Sequence, residues 1–270
     1  MPAMDKLFAG SIPEMYDTCL VPLIFQAYAT DLARRVAGAA PAQVLETAAG
    51  TGVVTRALAP LLGARASYIV SDLNQPMLDR AAIRQGADGR ITWRQADALC
   101  LPFEQDSFDA VVCQFGAMFF PDRVSGYREA LRVLKPGGRF VFNVWDRIEE
   151  NDFARIVTDA ASAVFPSDPP RFLARTPHGY HDVGLIEAEL RAAGFTAIEI
   201  MTLQHRSDAP SARSAAIAYC QGTPLRNEIE ARDPKALQTV TDRAAEAIAK
   251  QYGDGPVSGK IQAHIVVARA

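Results

Sequence analysis

Disulfide frameworks, metal clusters and membrane spans find little support in this chain. Cysteine is scarce: Cys19, Cys100, Cys113 and Cys220 are scattered through 270 residues without a C-x-x-C pair. Buried or free thiols are therefore expected, with no disulfide scaffold and no thiolate metal site. Histidine is equally rare, present only at 178, 181, 205 and 264. His178 and His181 stand close together, but no third ligand is spelled nearby, and no metal is expected. No stretch reaches the roughly 18 apolar residues of a spanning helix. Met1 to Gly10 carries Asp5 and Lys6 without a continuous apolar core, so neither a membrane span nor a secretory leader is expected, and the cytoplasm is the expected location. Neither sign of charge dominates: 28 Lys plus Arg against 31 Asp plus Glu leave a net charge of −3. No basic stripe advertises a nucleic-acid partner.

What the chain has is apolar content, 49%, enough for one large domain or one domain with a lid. Apolar strand patterns alternate with helical ones, the signature of an α/β fold with a parallel sheet covered on both faces. Seven strands are predicted, at Gln43 to Leu45, Ser67 to Ser71, Ile91 to Gln95, Phe108 to Gln114, Arg139 to Trp145, Thr196 to Leu203 and Gln262 to Ala268. Helices are predicted near Leu20 to Ala37, Val53 to Leu62, Gln75 to Gln85, Arg123 to Leu134 and Gly184 to Ala193. Pro136-Gly137-Gly138 reads as the stop after the fourth of these.

The chemistry concentrates in Val44-Leu45-Glu46-Thr47-Ala48-Ala49-Gly50-Thr51-Gly52, followed about twenty residues later by an apolar run ending in Asp72. A short buried strand, a tight turn of small residues and a helix start form a nucleotide-type pocket. Glycine tolerates positive φ and leaves no Cβ in the way, so a ligand approaches the backbone of Gly50 and Gly52 closely. Asp72 is placed to accept hydrogen bonds from ribose hydroxyls. A dinucleotide is disfavoured, because the third glycine of G-x-G-x-x-G falls on Thr55, and there is no G-x-x-x-x-G-K-[ST]. Glu46 in the turn repels a pyrophosphate and welcomes a cationic ligand group. S-adenosylmethionine carries such a cation and no phosphate. The plainer readings are an ordinary strand-to-helix turn for the glycines and turn or cap aspartates for Asp72 and Asp97.

Taken together, LETAAGTG, SDLNQPML, ADALCLPFEQDSFDAVVCQFGAMFF and LRVLKPGGRFVF resemble the class I S-adenosylmethionine-dependent methyltransferases, nearest the small-molecule branch that includes ubiquinone and menaquinone biosynthesis enzymes. The resemblance covers roughly residues 40 to 146. It implies a seven-stranded doubly wound Rossmann-like sheet with helical lid insertions. The whole chain would be a single methyltransferase domain, with cap helices over 1–40, a cofactor-binding core over 41–146 and substrate-lid insertions over 147–182 and 207–260. It also implies roles for particular residues. Glu46 and the Ala48 to Gly52 turn would hold the methionine end of the cofactor, Asp72 the ribose, Leu73 and Met77 the adenine face, and Asp97 with Ala98 the adenine edge. Gln114 would lie beside the methyl group. The segment FAGSIPEMYDTCL resembles the short helix that closes over the cofactor, with Tyr16 on the methionine carboxylate or else anchoring the segment as a packed ring. Ala48 departs from the family, which usually has glycine there.

An acceptor hydroxyl or acidic carbon calls for a general base, and histidine is the usual one near neutral pH. The loop Arg175-Thr176-Pro177-His178-Gly179-Tyr180-His181-Asp182 places His178 and His181 in the first lid segment. The competing reading has His181-Asp182 capping the next helix and His178 exposed. His205 is a weaker candidate and His264 a structural one. Phe115, Met118, Phe119, Phe120 and Trp145 fall at strand ends, suited to an apolar or aromatic acceptor or to plain core packing. Gln114-Phe115-Gly116-Ala117 stands where a nucleic-acid N-methylating enzyme has Asn/Asp-Pro-Pro-Tyr/Phe. A small-molecule acceptor is the expected partner. The apolar face of Pro234 to Tyr252 suits either a cover over the site or a second copy of the chain. The alternatives to a methyltransferase are a regulatory S-adenosylmethionine binder, an enzyme using that pocket for another reaction, and a nicotinamide-dependent oxidoreductase.

Overall fold

The computed structural model describes residues 12–270; the Phe8 to Ser11 part of the expected closing segment lies outside the described residues. Seven strands form one sheet: β1 (Gln43–Glu46), β2 (Ser67–Asp72), β3 (Ile91–Gln95), β4 (Phe108–Gln114), β5 (Leu134–Trp145), β6 (Ala197–Ala209) and β7 (Val257–Arg269). The order is β3-β2-β1-β4-β5-β7-β6. β1 lies between β2 and β4, parallel to both, with Leu45 opposite Ile69 on one side and Val111 on the other. Val44, Leu45, Val111 and Val112 are wholly buried, as the near-continuous apolar runs of a parallel sheet covered on both faces require. The order reverses direction between β1 and β4, the switch point outside whose carboxyl strand ends open α/β sheets take their ligands.

Two features differ from the parallel pattern read in the sequence. β7 runs antiparallel: Gly137 and Gly138 bond Ala270 while Asp146 donates to the Gln262 carbonyl, so numbers rise along β5 as they fall along β7. And Pro136-Gly137-Gly138 is not a stop beyond the helix. The helix ends at Val133 and β5 begins at Leu134. Phe108 pairs with Leu134 but Ala110 pairs with Arg139, so the Pro-Gly-Gly run is the surplus length of a bulge, where a missing N–H and missing side chains are tolerated. β6 and β7 also run several residues further than the apolar pattern suggested.

The chain forms two compact units. The sheet unit holds residues 26–144, 181–203 and 263–270. Two of its helices start at side-chain caps: Asp122 accepts from Ser125 N at 2.9 Å, and Asp182 from Leu185 N at 3.0 Å. Tyr127, Phe140, Phe142 and Phe195 stack into one aromatic cluster with centroids 4.7 to 6.1 Å apart. Truncating any one to alanine costs about 3–5 kcal/mol by cavity formation.

The helical unit holds residues 12–25, 145–180 and 204–262 among those described. Helices Asp152–Val164, Ala212–Gln221 and Ala236–Tyr252 pack on one another. Buried alanines at 154, 160, 161, 215, 216, 218, 244 and 245 permit that close approach. The apolar face of Ala236–Tyr252 is thus buried within its own unit, at Ala236, Val240, Ala244 and Ile248, which removes that face as a reason to expect a second copy. Leu20 to Ala37 is not one uniform helix, because Tyr16–Phe25 is a π-helix containing Pro22 and the α-helix begins at Gln26. Among the described residues no helix is long and apolar enough to cross a membrane.

Candidate functional site

The turn after β1 is built from alternating left-handed residues, Ala48 at φ 51°, Gly50 at 57° and Gly52 at 77°. Its conformation is held from β2. Asp72 Oδ2 accepts from Gly50 N at 2.8 Å, Oδ1 accepts from Asn74 N at 2.7 Å, and Ala49 N donates to the Ser71 carbonyl. Oδ1 also meets Asn74 Nδ2 at 3.4 Å, while Oδ2 keeps a further lone pair. Burial raises the Asp72 pKa, which those backbone N–H groups partly offset. Thr51 is 1% exposed and its hydroxyl has no hydrogen-bond partner, a polar atom whose desolvation needs an explanation. A bare-backbone turn, an acid at its rim and an orphaned hydroxyl fit a nucleoside carrying a polar tail.

Glu46 is placed differently from a residue facing a ligand through open space. It is 1% exposed, and Oε2 accepts from Thr55 Oγ at 2.7 Å and from the Tyr68 hydroxyl. It therefore ties the start of the following helix to β2. Burial pushes its carboxyl up to about 7, against the lowering effect of those two hydroxyls. Burial and the neighbouring Glu46 also raise the Tyr68 phenol, so it stays the donor.

Ala48 has a neighbour that explains how a methyl group is accommodated. A Cβ placed on Gly116 would fall 2.5 Å from Ala48 Cβ and 2.7 Å from Cys113 Sγ. The side chain absent from Gly116, just beyond β4, is what leaves room for the one present at Ala48. Leu73 is 45% exposed and Met77 is buried at 4%. Asp97 is exposed, with Oδ1 accepting from Leu99 N at 2.9 Å, and Ala98 beside it is half-buried. All of these residues belong to the sheet unit, beyond the carboxyl ends of β1 to β4, with Met77 in the helix Gln75–Gln85.

At the end of β4, Gln114 is half-buried opposite Asn143 of β5. Phe115 follows at φ 48°, uncommon for so bulky a residue and a source of strain. Its N–H donates to Asn143 Oδ1 at 2.9 Å and to the Asn143 carbonyl, and its ring meets the edge of Tyr28 at 5.4 Å. Asn143 is wholly buried, with its Nδ2 unpartnered. Sequence reasoning missed it, although an amide inside the apolar run Phe-Val-Phe-Asn-Val-Trp is itself a signal. Phe120 is packed against Gly126, where a Cβ would lie 2.6 Å from its ring, so its role is core packing.

The histidines separate. His178 is 5% exposed, contrary to the reading that left it in solvent. Its Nδ1 lies 2.8 Å from the Asp146 carbonyl and its ring packs on Trp145 at 5.9 Å. A carbonyl only accepts, so Nδ1 carries the proton and Nε2 is the basic nitrogen of the neutral ring. The aromatic run continues within the helical unit. Trp145 meets Phe25 at 5.9 Å, and Phe25 stacks on the half-buried Tyr16 at 5.0 Å. His181, half-buried, belongs to the sheet unit and precedes the Asp182 cap. His205 is half-buried on β6, and His264 is held by the Thr202 hydroxyl at 3.0 Å. Among the described residues no group of three or more His, Cys, Asp or Glu could hold a metal.

Residues 45–142 match the family described as "Methyltransferase domain". Over 204 residues the chain is 32% identical to a demethylmenaquinone methyltransferase of Clavibacter sepedonicus, covering 68% of this chain and 80% of that protein. Over 165 residues it is 30% identical to the ubiquinone/menaquinone biosynthesis C-methyltransferase of Pseudomonas aeruginosa, covering 57% of this chain and 64% of that one. Its fold is similar to that of the YcgJ protein of Bacillus subtilis, with a TM-score of 0.58 at 22% identity over 90% of this chain and 98% of that one.

Proposed function

Because the chain belongs to the class I S-adenosylmethionine-dependent methyltransferases, we propose that its acceptor is a hydroxylated aromatic ring, methylated on carbon, with His178 removing the hydroxyl proton. S-adenosylmethionine supplies a methyl group that its sulfonium already makes electrophilic. The protein's own task is to bind, align and exclude water, which lowers the barrier by removing the entropy of bringing two reactants together.

In this reading Asp72 binds the ribose through the lone pair that Gly50 leaves on Oδ2. Leu73 and Met77 take the adenine face, and Asp97 with Ala98 its edge. The Ala48 to Gly52 turn and Glu46 hold the methionine end, Gln114 lies beside the methyl group, and Tyr16 is the candidate for the methionine carboxylate. Segments 147–182 and 207–260 read the acceptor. His178 Nε2 takes the proton of a ring hydroxyl, which raises electron density on the ortho carbon and makes it the nucleophile. After methylation that carbon loses its own proton and the hydroxyl is restored, so one proton leaves for the solvent.

The observation that carries this reading is the row Tyr16, Phe25, Trp145 and His178, aromatic surface ending on a base whose tautomer is set by a main-chain carbonyl. The names of the two similar enzymes, one acting on demethylmenaquinone and one a C-methyltransferase, support the same class of acceptor. His181 is the second candidate for the base, and His181→Ala assigns the proton to one ring or the other. The test is incubation with S-adenosylmethionine and a panel of dihydroxynaphthalenes, simple phenols and aliphatic acids, with the methyl position read by NMR. Methylation on ring carbon is expected. A methyl ether, or turnover with aliphatic acids alone, overturns the proposal.

A further inference from the structure

Where β5 gives way to the loop after it, Asp146, Asn151, His178 and Gln262 form one polar cluster, in which the Asp146 carbonyl accepts from both Asn151 and His178. Asp146 N donates to the Gln262 carbonyl at 3.0 Å, and Gln262 Nε2 returns a bond to Asp146 Oδ2 at 2.6 Å. Asp146 Oδ1 accepts from Arg147 N at 2.7 Å. Asn151, 1% exposed, fastens the group. Its Oδ1 accepts from Gln262 N at 3.1 Å, and its Nδ2 faces the carbonyls of Arg147 at 3.1 Å, Asp146 at 3.3 Å and Gln262 at 3.3 Å. Two amide hydrogens are thus shared among three acceptors. The Asp146 carbonyl also accepts from His178 Nδ1 at 2.8 Å, the shorter of its two side-chain bonds.

We infer that Asn151 is a positioning residue for the methyl-transfer reaction: acting through the Asp146 carbonyl, it holds the His178 ring in the Nδ1–H tautomer and in one orientation. The inference rests on the reading of His178 as the base, which Asn151 does not touch. A carbonyl at a strand end is otherwise free to tilt, and the imidazole bonded to it would tilt with it. Asn151 Nδ2 donates to that same carbonyl at 3.3 Å, and Gln262 ties down the residue that carries it through Asp146 N and Oδ2. Trp145 packs against the ring at a 40° tilt and limits its swing, and His178 N is bonded to the Leu173 carbonyl at 3.0 Å, so the main chain that carries the ring is also tied.

The experiment has two readouts on the whole protein. Long-range proton–nitrogen NMR of the imidazoles reports the tautomer, and steady-state kinetics with S-adenosylmethionine and an accepted aromatic substrate report turnover. The wild type should show His178 as the Nδ1–H tautomer. Asn151→Ala should give a mixture of tautomers and lower kcat about tenfold, what one well-formed hydrogen bond contributes to a rate, with KM for S-adenosylmethionine unchanged. Asn151→Ser, which keeps one donor, should recover most of both. A wild-type spectrum showing Nε2–H overturns the inference without any variant. So does an Asn151→Ala protein with the native tautomer and normal kcat. If His178→Ala turns over like the wild type, the base reading falls, while the tautomer result for Asn151 still stands or falls by itself.

Discussion

The turn after β1 and the end of β5 both use main-chain atoms to hold functional groups, but with opposite polarity. At the turn the backbone donates: Gly50 and Asn74 offer N–H groups to a carboxylate, and left-handed residues keep the surface bare. At the end of β5 the backbone accepts: a carbonyl, steadied by an amide, receives an imidazole N–H. The first arrangement fixes an anion that can take further donors, such as sugar hydroxyls. The second fixes one imidazole tautomer, leaving Nε2 as the nitrogen without the proton. In the proposed reading, the first is the cofactor-binding end and the second the proton-handling end.

If the two regions divide the work in this way, substitutions should divide too. The largest effect belongs to His178→Ala, expected to lower kcat by about a hundredfold or more, the usual contribution of a general base, while calorimetric affinity for S-adenosylhomocysteine stays within about twofold of wild type. A matching loss of cofactor affinity would erase the distinction. Asp72→Ala should do the reverse and weaken S-adenosylhomocysteine binding at least about tenfold, since it removes charge-assisted hydrogen bonds and frees Gly50 N. Unchanged affinity in a folded Asp72→Ala protein would refute the ribose assignment.

Gly116→Ala sharpens the comparison at the turn itself. The new methyl would meet Ala48 and Cys113, an overpacking expected to cost about 1–3 kcal/mol in denaturant melts. Ala48→Gly in that background should return part of the loss, both by vacating the space and by relieving the left-handed alanine. Equal cost of Gly116→Ala in both backgrounds would show that the pair is not coupled. An effect visible only as a pH dependence concerns Glu46, whose carboxyl rises from 4.5 unfolded to about 7 folded. A raised folded pKa means that the native state holds the proton more tightly. The corresponding stability is fully present below about 4.5 and is lost as pH climbs through about 7. Melts of Glu46→Gln should lack that slope, and a slope identical to wild type would assign it elsewhere.

Much of the sheet was legible because its determinants are local. Apolar runs marked the strands, and the small residues at 48–52 with an acid twenty-odd positions on marked the turn, since a left-handed turn and its carboxylate clasp are encoded within one strand-turn-helix-strand unit. Glu46 was read for its charge alone. Its two hydroxyl partners, Thr55 and Tyr68, become visible only when the helix start and β2 are in place. His178 was harder still, because its surroundings come from residues 146, 151 and 262, brought together by β7 pairing antiparallel to β5. No periodicity announces such a pairing. Pro136-Gly137-Gly138 was read by its ordinary meaning as a stop, and the bulge gave it another. The Asp182 cap beside His181 was legible for the opposite reason, being a contact between residues three apart.

The two longest strands bear on how such a protein diversifies. β6 and β7 lie side by side and antiparallel, and near their far ends Arg206 and Asp208 both bond Ser258. The chain leaves the sheet at Ala209 and returns at Val257 from adjacent positions, with three helices between. The ends of that excursion are already fastened together, so its length and composition can change with little additional entropy of loop closure. It is a socket into which a different set of helices could be grafted without disturbing the register of the parallel strands.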